Sequence, residues 1–160
     1  MGNGNASYWT TISIFERAKV RRLKKHKIRL CEPKLIPGRL NLNSSVLVVD
    51  DEENLLVLLD RVLSKEGYQV KTTTDADEAL GFLDENDISV ALLNLRMYPI
   101  DGIALLAKIK KRSPSTRVLM MTSRPTAETQ TSCFQNGAID YFTKPLDIQK
   151  LKIALRGLLA

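Results

Sequence analysis

From Val46 onward, short apolar runs alternate with longer amphipathic stretches five times over. Few folds accept that pattern. A run such as Ile88–Leu93 has no polar face and needs cover on both sides, whereas Glu53–Glu66 gathers Leu55, Leu56, Leu59, Val62 and Leu63 on one side of a helix. The same reading predicts strands at Val46–Val49, Tyr68–Thr73, Ile88–Leu93, Arg117–Met121 and Ile139–Phe142. It predicts helices over Glu53–Glu66, from Asp75 to about Asn86, from about Ile103 to Lys111, over Thr126–Gln135 and over Asp147–Leu159. Gly67 and Asn136-Gly137 are placed to stop the first and fourth of these, and Asp75 with Glu78 has capping-box spacing. Strands buried on both faces and joined by helices make a doubly wound α/β fold around a five-stranded parallel sheet.

The charge divides the chain differently. Residues 1–44 carry ten Lys/Arg against Glu16 and Glu32, while residues 45–160 carry fourteen against sixteen acidic residues. The expectation is a basic N-terminal extension over 1–44, flexible or partly helical, attached to a mildly acidic domain over 45–160. Within the extension, Ile12, Phe15, Lys19, Arg22 and Leu23 roughly share a helical face, and Pro33, Pro37 and Gly38 break any regular element beyond it. Seven cations from Lys19 to Arg29, preceded by Tyr8, Trp9 and Phe15, form either a solvated tail or a non-specific contact for nucleic acid or an anionic membrane surface. No helix-turn-helix or zinc finger is visible, so sequence-specific DNA recognition is not expected. No window reaches the roughly 18 apolar residues of a membrane span, and no secretory signal pattern opens the chain. Cys31, Cys133 and His26 make neither a disulfide framework nor a zinc site, so the expected setting is a reducing cytoplasm.

In a sheet of this kind, ligands bind beyond the C-terminal ends of the strands, near the point where the strand order reverses. The first strand delivers Asp50 and Asp51 there, the third Asn94, the fourth Thr122 and Ser123, and the fifth runs through Tyr141 to Lys144-Pro145. Adjacent carboxylates are hard oxygen ligands suited to magnesium, and a Lys with a Thr hydroxyl can hold phosphoryl oxygens. Each has an ordinary reading when taken singly. Asp50-Asp51-Glu52 suits a helix N-terminus, Thr122 can cap a helix, and Lys-Pro occurs in turns. Their joint arrival at successive strand ends is the informative part.

The stretches Val46-Leu-Val-Val-Asp-Asp-Glu52, Asn94-Leu-Arg-Met-Tyr-Pro-Ile-Asp-Gly102, Val118-Leu-Met-Met-Thr-Ser123 and Gly137-Ala-Ile-Asp-Tyr-Phe-Thr-Lys-Pro145 carry a family likeness. Over residues 45–160 the chain resembles the receiver domain of bacterial two-component response regulators, and is most similar to receivers that precede sigma-54-dependent activator modules. The resemblance implies strand order 2-1-3-4-5 and a role in phosphorelay signalling. It implies an aspartate at the end of the third strand that takes a phosphoryl group from a histidine kinase. It also implies magnesium held by Asp50, Asp51, the side chain at position 94 and the backbone carbonyl of Arg96. Thr122 and Lys144 would hold the phosphoryl oxygens, and Thr122 with Tyr141 would form the switch.

The acceptor position is Asn94. A carboxylate oxygen is the nucleophile that makes an acyl phosphate; an amide is uncharged, and its nitrogen lone pair is delocalised. It is also a poorer ligand for a hard cation, so magnesium is expected to bind weakly or not at all. Lys144 is expected to face Asp50 and Asp51 instead of an acceptor carboxylate. The family's Met-Pro becomes Met97-Tyr98-Pro99, which puts Tyr98 in position to cover the pocket. The expected function is that of a pseudo-receiver signalling through protein contacts, with no catalytic activity of its own, because a competent nucleophile is missing and His26 lies outside the domain. Two alternatives stand beside it: a phosphorylated response regulator carrying an introduced Asp-to-Asn change, and a piece of a multidomain transcriptional regulator. Expected partners are a histidine kinase or other signalling protein, through a face built from Thr126–Leu159. A second copy is another, through the last helix, where Ile148, Leu151, Ile153, Leu155, Leu158 and Leu159 exceed one buried stripe, so that either some are exposed for pairing, with Ile148 and Leu158 the positions to substitute, or all pack inward.

Overall fold

The computed structural model describes residues 44–98 and 101–159. The expectations for residues 11–30 and for the cationic cluster lie outside the described residues. Strands and helices alternate as β1 (Ser45–Val49), α1 (Glu53–Lys65), β2 (Gln69–Thr73), α2 (Ala76–Glu85), β3 (Ile88–Asn94), α3 (Gly102–Arg112), β4 (Arg117–Thr122), α4 (Ala127–Gln135), β5 (Asp140–Thr143) and α5 (Ile148–Leu159). All neighbouring strands are parallel, in the order β2-β1-β3-β4-β5. The order reverses between β1 and β3, so the loops after those two strands diverge and leave a crevice between them.

Alternation along each strand sorts the core into two faces. Val46 and Val48 pack with Leu59 and Leu63 of α1 and Leu151 and Leu155 of α5. Leu47 and Val49 pack on the other face, with Leu80 of α2, Leu105 and Ile109 of α3 and Cys133 of α4. Each such leucine, taken fully out of water, contributes about 1.5–3 kcal/mol. Burial on both faces holds for β1, β3 and β4, whereas Gln69 and Lys71 of β2 and Thr143 of β5 are exposed because those strands form the edges. On α5, Leu151, Leu155 and Leu159 are buried, and Ile148 and Leu158 pack against the same core. The exposed apolar residue of that helix is Ile153, at 68% exposure, rather than Ile148 or Leu158.

The helix ends show which local signals decide. After α1, the Gly67 N–H donates to the Ser64 carbonyl (3.0 Å) and the Tyr68 N–H to that of Leu63 (3.3 Å), with Gly67 at φ +93°. These paired bonds need a left-handed residue, which glycine supplies without a Cβ clash. At α2, Asp75 accepts from the Asp77 and Glu78 N–H groups, both at 2.8 Å. The expected return bond from Glu78 is absent. Its carboxylate instead accepts from the Thr73 hydroxyl, whose oxygen takes the Asp75 N–H at 2.9 Å, because β2 ends beside the helix start. A reciprocal capping box does form at α4, between Thr126 and Thr129.

Two contacts fix elements around the strand ends. Gly102 opens α3 against the end of β3, its N–H donating to the Leu95 carbonyl at 2.9 Å. A Cβ there would stand 2.2 Å from the Asn94 carbonyl oxygen and 2.8 Å from Leu95 Cα. Only glycine fits without moving backbone. On the opposite face, Glu66 at the end of α1 accepts from Arg156 and pairs with Lys152 (3.0 Å), both on α5. The hydrogen bonds from Arg156 and then Lys152 hold the Glu66 carboxyl below its ordinary value.

Gly102→Ala is therefore expected to lower stability by about 1–3 kcal/mol. Gly81→Ala, in the interior of α2 with nothing within 4 Å of its added methyl, is expected to raise it by about 0.5–1 kcal/mol, both measured from urea midpoints. Because the folded-state pKa of Glu66 is lowered, its contribution is present above the unfolded carboxylate value and is lost as pH falls through the folded value. Glu66→Gln should thus lower the midpoint at neutral pH and converge with the unaltered chain in acid. A constant offset across that range would show that the ion pairs do not set the difference.

Candidate functional site

Strand ends β1, β3, β4 and β5 bring one buried polar cluster together. Asp50 follows β1 with no solvent exposure, its N–H continuing the ladder to the Thr73 carbonyl at 3.2 Å. Its Oδ1 accepts from the Glu52 N–H (3.1 Å) at the start of α1. A carboxylate so placed needs a cation. Lys144 supplies it from the turn after β5, where its own N–H is tied to the Thr122 carbonyl at 2.7 Å. The Lys144 ammonium lies 2.7 Å from Asp50 Oδ2 and 2.9 Å from Oδ1, and 2.7 Å from Glu52 Oε1. Lys144 therefore pairs with Asp50 and Glu52, not with Asp50 and Asp51. Glu52 has the longer side chain and reaches across from the helix start, while Asp51 is engaged elsewhere.

Burial pushes the Asp50 carboxyl up, against the lowering hydrogen bonds from Lys144 and the Glu52 N–H; the balance is upward. Burial also presses the Lys144 ammonium down, but its hydrogen bonds to Asp50 and Glu52 outweigh this and leave it above its ordinary value. The Lys144 shift describes a lysine held charged by its partners, whereas the Asp50 shift records a cost of burial that Lys144 and the Glu52 N–H do not fully offset.

Asn94 ends β3 and is 6% exposed. Its amide nitrogen lies 2.7 Å from Asp51 Oδ1, 2.9 Å from the Arg96 carbonyl oxygen and 3.4 Å from Asp50 Oδ1. The opposite amide orientation would set an oxygen against three oxygens with no hydrogen between them, so the surroundings select the nitrogen. These acceptors belong to the residues that the resemblance assigns to magnesium. With an N–H among them in place of a lone pair, the arrangement does not fit that cation, and among the described residues no group of three or more His, Cys, Asp or Glu is placed to hold a metal.

Thr122 ends β4, one residue beyond Met121, which pairs with Asn94. Its buried hydroxyl accepts from the Arg124 N–H at 3.2 Å. Tyr141 lies half-buried on β5, and its hydroxyl stands 3.2 Å from that of Thr129 in the first turn of α4. Tyr98 is 93% exposed and does not cover the cluster. Asp50, Asp51, Asn94, the Arg96 carbonyl and Lys144 thus form one hydrogen-bonded set, which Thr122 adjoins through the Lys144 backbone. Tyr141 bonds away from it. Sequence reasoning missed Glu52 and Thr129. A third consecutive acid after Asp50-Asp51 was the available signal for Glu52; Thr126-x-x-Thr129 departs from the usual Ser/Thr-x-x-Glu/Gln pattern and gave little signal.

Comparison with known proteins bears on the domain as a whole. A family model described as the response regulator receiver domain matches residues 46–156. The transcriptional regulatory protein ZraR of Escherichia coli K12 is 36% identical over 118 residues, covering 74% of this chain and 27% of its own length. TcrA of Mycobacterium tuberculosis, also a transcriptional regulatory protein, is 34% identical over 71% of this chain and 45% of its own. The chain thus spans less than half the length of these curated relatives. Among solved structures, a CheY-like response regulator receiver domain protein from Methanospirillum hungatei superposes with TM-score 0.70 and 27% identity, over 72% of this chain and 93% of that one. NtrX from Brucella abortus superposes with TM-score 0.68 and 33% identity, over 73% and 27%. Matched by the family model from β1 into α5, and carrying the strand order that the family implies, this chain belongs to the response regulator receiver domains.

Proposed function

We propose that this receiver works through protein contacts in two-component signalling without forming an acyl phosphate at position 94, and that it has no turnover of its own. The observation that carries the reading is the Asn94 amide: it supplies no nucleophilic carboxylate oxygen, and its N–H groups are held by Asp51 and the Arg96 carbonyl. Lys144, which would meet phosphoryl oxygens, is already paired with two carboxylates. Asp50, Asp51, Asn94 and the Arg96 carbonyl then act as a structural polar cluster, with Thr122 and Tyr141 as the switch pair.

The partners we assign are a histidine kinase or another signalling protein, met through α4, β5 and α5, where Ile139 and Ile153 are exposed. The same face offers self-association through α5. Residues 1–44 are assigned as a separate basic extension with affinity for anionic polymers or membrane surfaces. Among the described residues no helix is long and apolar enough to cross a membrane, and a cytoplasmic setting is the one we assign. The relatives are transcriptional regulators of which the chain spans only part, and this favours a second reading, the receiver segment of a larger regulator.

Incubation with acetyl phosphate and magnesium, followed by intact mass measurement, is expected to show no labile adduct of about 80 Da, the mass an acyl phosphate adds. A stoichiometric adduct on the unaltered chain would sink the reading. The contact assignments are checked on a matched set of chains. Deleting residues 1–43 should leave the unfolding midpoint within a few degrees and abolish salt-sensitive retention on heparin. Ile153→Glu should weaken self-association in sedimentation runs without moving that midpoint; unchanged association would place the contact elsewhere.

A further inference from the structure

The amide of Asn94 does more than withhold a nucleophile. An Asn nitrogen has two hydrogens, and here the two shortest contacts take both: Asp51 Oδ1 at 2.7 Å and the Arg96 carbonyl at 2.9 Å, lengths of ordinary N–H···O bonds. The third oxygen, Asp50 Oδ1 at 3.4 Å, is served instead by Lys144 at 2.9 Å. Two loops meet at this nitrogen: the turn between β1 and α1 through Asp51, and the segment after β3 through Arg96. A divalent cation shared by the same oxygens would brace the same two loops by drawing them together.

We infer that the Asn94 amide nitrogen occupies the cation position itself, as a built-in, uncharged substitute that holds the two loops in a metal-independent arrangement and closes the site to divalent metal. This deepens the proposed function and rests on its placement of Asn94 at the acceptor position. It differs from the view that Asn94 is merely a weak ligand. A weak ligand still favours a cation more than no ligand does, whereas a side chain standing where the cation would stand keeps it out. The two views make opposite statements about Asn94→Ala. Removing a weak ligand weakens metal binding; removing an occupant exposes Asp50, Asp51 and the Arg96 carbonyl to the metal and strengthens it. Lys144 reinforces the closure, since it already lies within 2.9 Å of both oxygens of Asp50.

The test uses the full chain with MgCl2 against EDTA, read by thermal unfolding, and with MnCl2, read by paramagnetic broadening of backbone amide signals. The unaltered chain is expected to keep its midpoint on adding magnesium and to show no selective manganese broadening at residues 50–53 or 94–97. Asn94→Ala is expected to unfold at a lower temperature in EDTA. Magnesium should then raise its midpoint and manganese should broaden those signals, with an apparent affinity at least about tenfold above that of the unaltered chain, equivalent to about 1.4 kcal/mol. Asn94→Gly, which likewise removes the amide without adding a carboxylate ligand, provides the same comparison should the alanine variant fail to fold, and should gain the metal response as well; Asn94→Asp gains it on either view. Magnesium stabilisation of the unaltered chain, or an alanine variant as silent as its parent, would overturn the inference. Neither result bears on the mass assay, so failure here is distinguishable from failure of the proposed function.

Discussion

A carboxylate with no solvent exposure stands at the end of the interior strand β1, and the arrangement of the strand ends follows from the need to satisfy it. Asp50 cannot remain ionised in that position without a cation and hydrogen bonds. The cation arrives from Lys144, ninety-four residues along the chain, and reaches it only because parallel pairing sets the C-terminal ends of β1 and β5 on the same side of the sheet. Removing one member of such a buried pair costs about 3–5 kcal/mol, because the other is left charged and alone. The Lys144 backbone is fixed in turn by the Thr122 carbonyl, so the turn after β5 is tied at once to β1 and β4.

The remaining charges are settled around that pair. Asp50, Asp51 and Glu52 are three carboxylates against one ammonium, and crowding of this kind is tolerated only if each finds a donor, separate or shared. Glu52 shares Lys144 from the outside, where solvent screens it. Asp51 is exposed and takes an amide hydrogen from Asn94. An aspartate at position 94 would instead add a further carboxylate to the group. The asparagine therefore changes the local electrostatics as well as the chemistry: it gives Asp51 a hydrogen where an aspartate would give it a further like charge.

Much of this was legible in the sequence because the signals were strong and local. The apolar runs of β1, β3 and β4 are too continuous for any half-exposed element, and Gly67 and Gly137 mark helix ends that only a residue at positive φ can make. The positions of Asp50, Asp51, Asn94, Thr122 and Lys144 at strand ends followed from the fold class and from the family likeness together. What was not legible was pairing. Nothing in the order of residues tells which of the four adjacent acids Asp50 to Glu53 a distant lysine will choose, since that depends on side-chain length and on the angle at which α1 leaves β1. The Glu78 carboxylate shows the same limit at short range: its spacing suits Asp75, yet Thr73 stands closer. On α5, periodicity supplied too many apolar candidates, and packing against α1 decided that Ile153 faces out.

The hydrogen bonding of Tyr141 bears on how such a domain is controlled. Its hydroxyl meets that of Thr129, which belongs to the capping box opening α4, so β5 is linked to the first turn of the neighbouring helix. Thr122, the proposed partner in switching, is occupied by the Arg124 N–H at the start of the same loop. Tyr141 is thus engaged by the β4–α4 region and the Thr122 oxygen accepts from it, while the Thr122 O–H donates to no partner among the described residues. Under the proposed reading, a signal cannot enter through the pocket, because its amide and its ammonium are already engaged. It has to enter at the surface, from a partner that binds one arrangement of α4 and β5 better than another, each 1.4 kcal/mol of that preference shifting the ratio about tenfold. The energetic threshold is then set by hydrogen bonds as modest as that between Tyr141 and Thr129, worth about 0.5–1.5 kcal/mol net, which a contact surface of a few side chains can match.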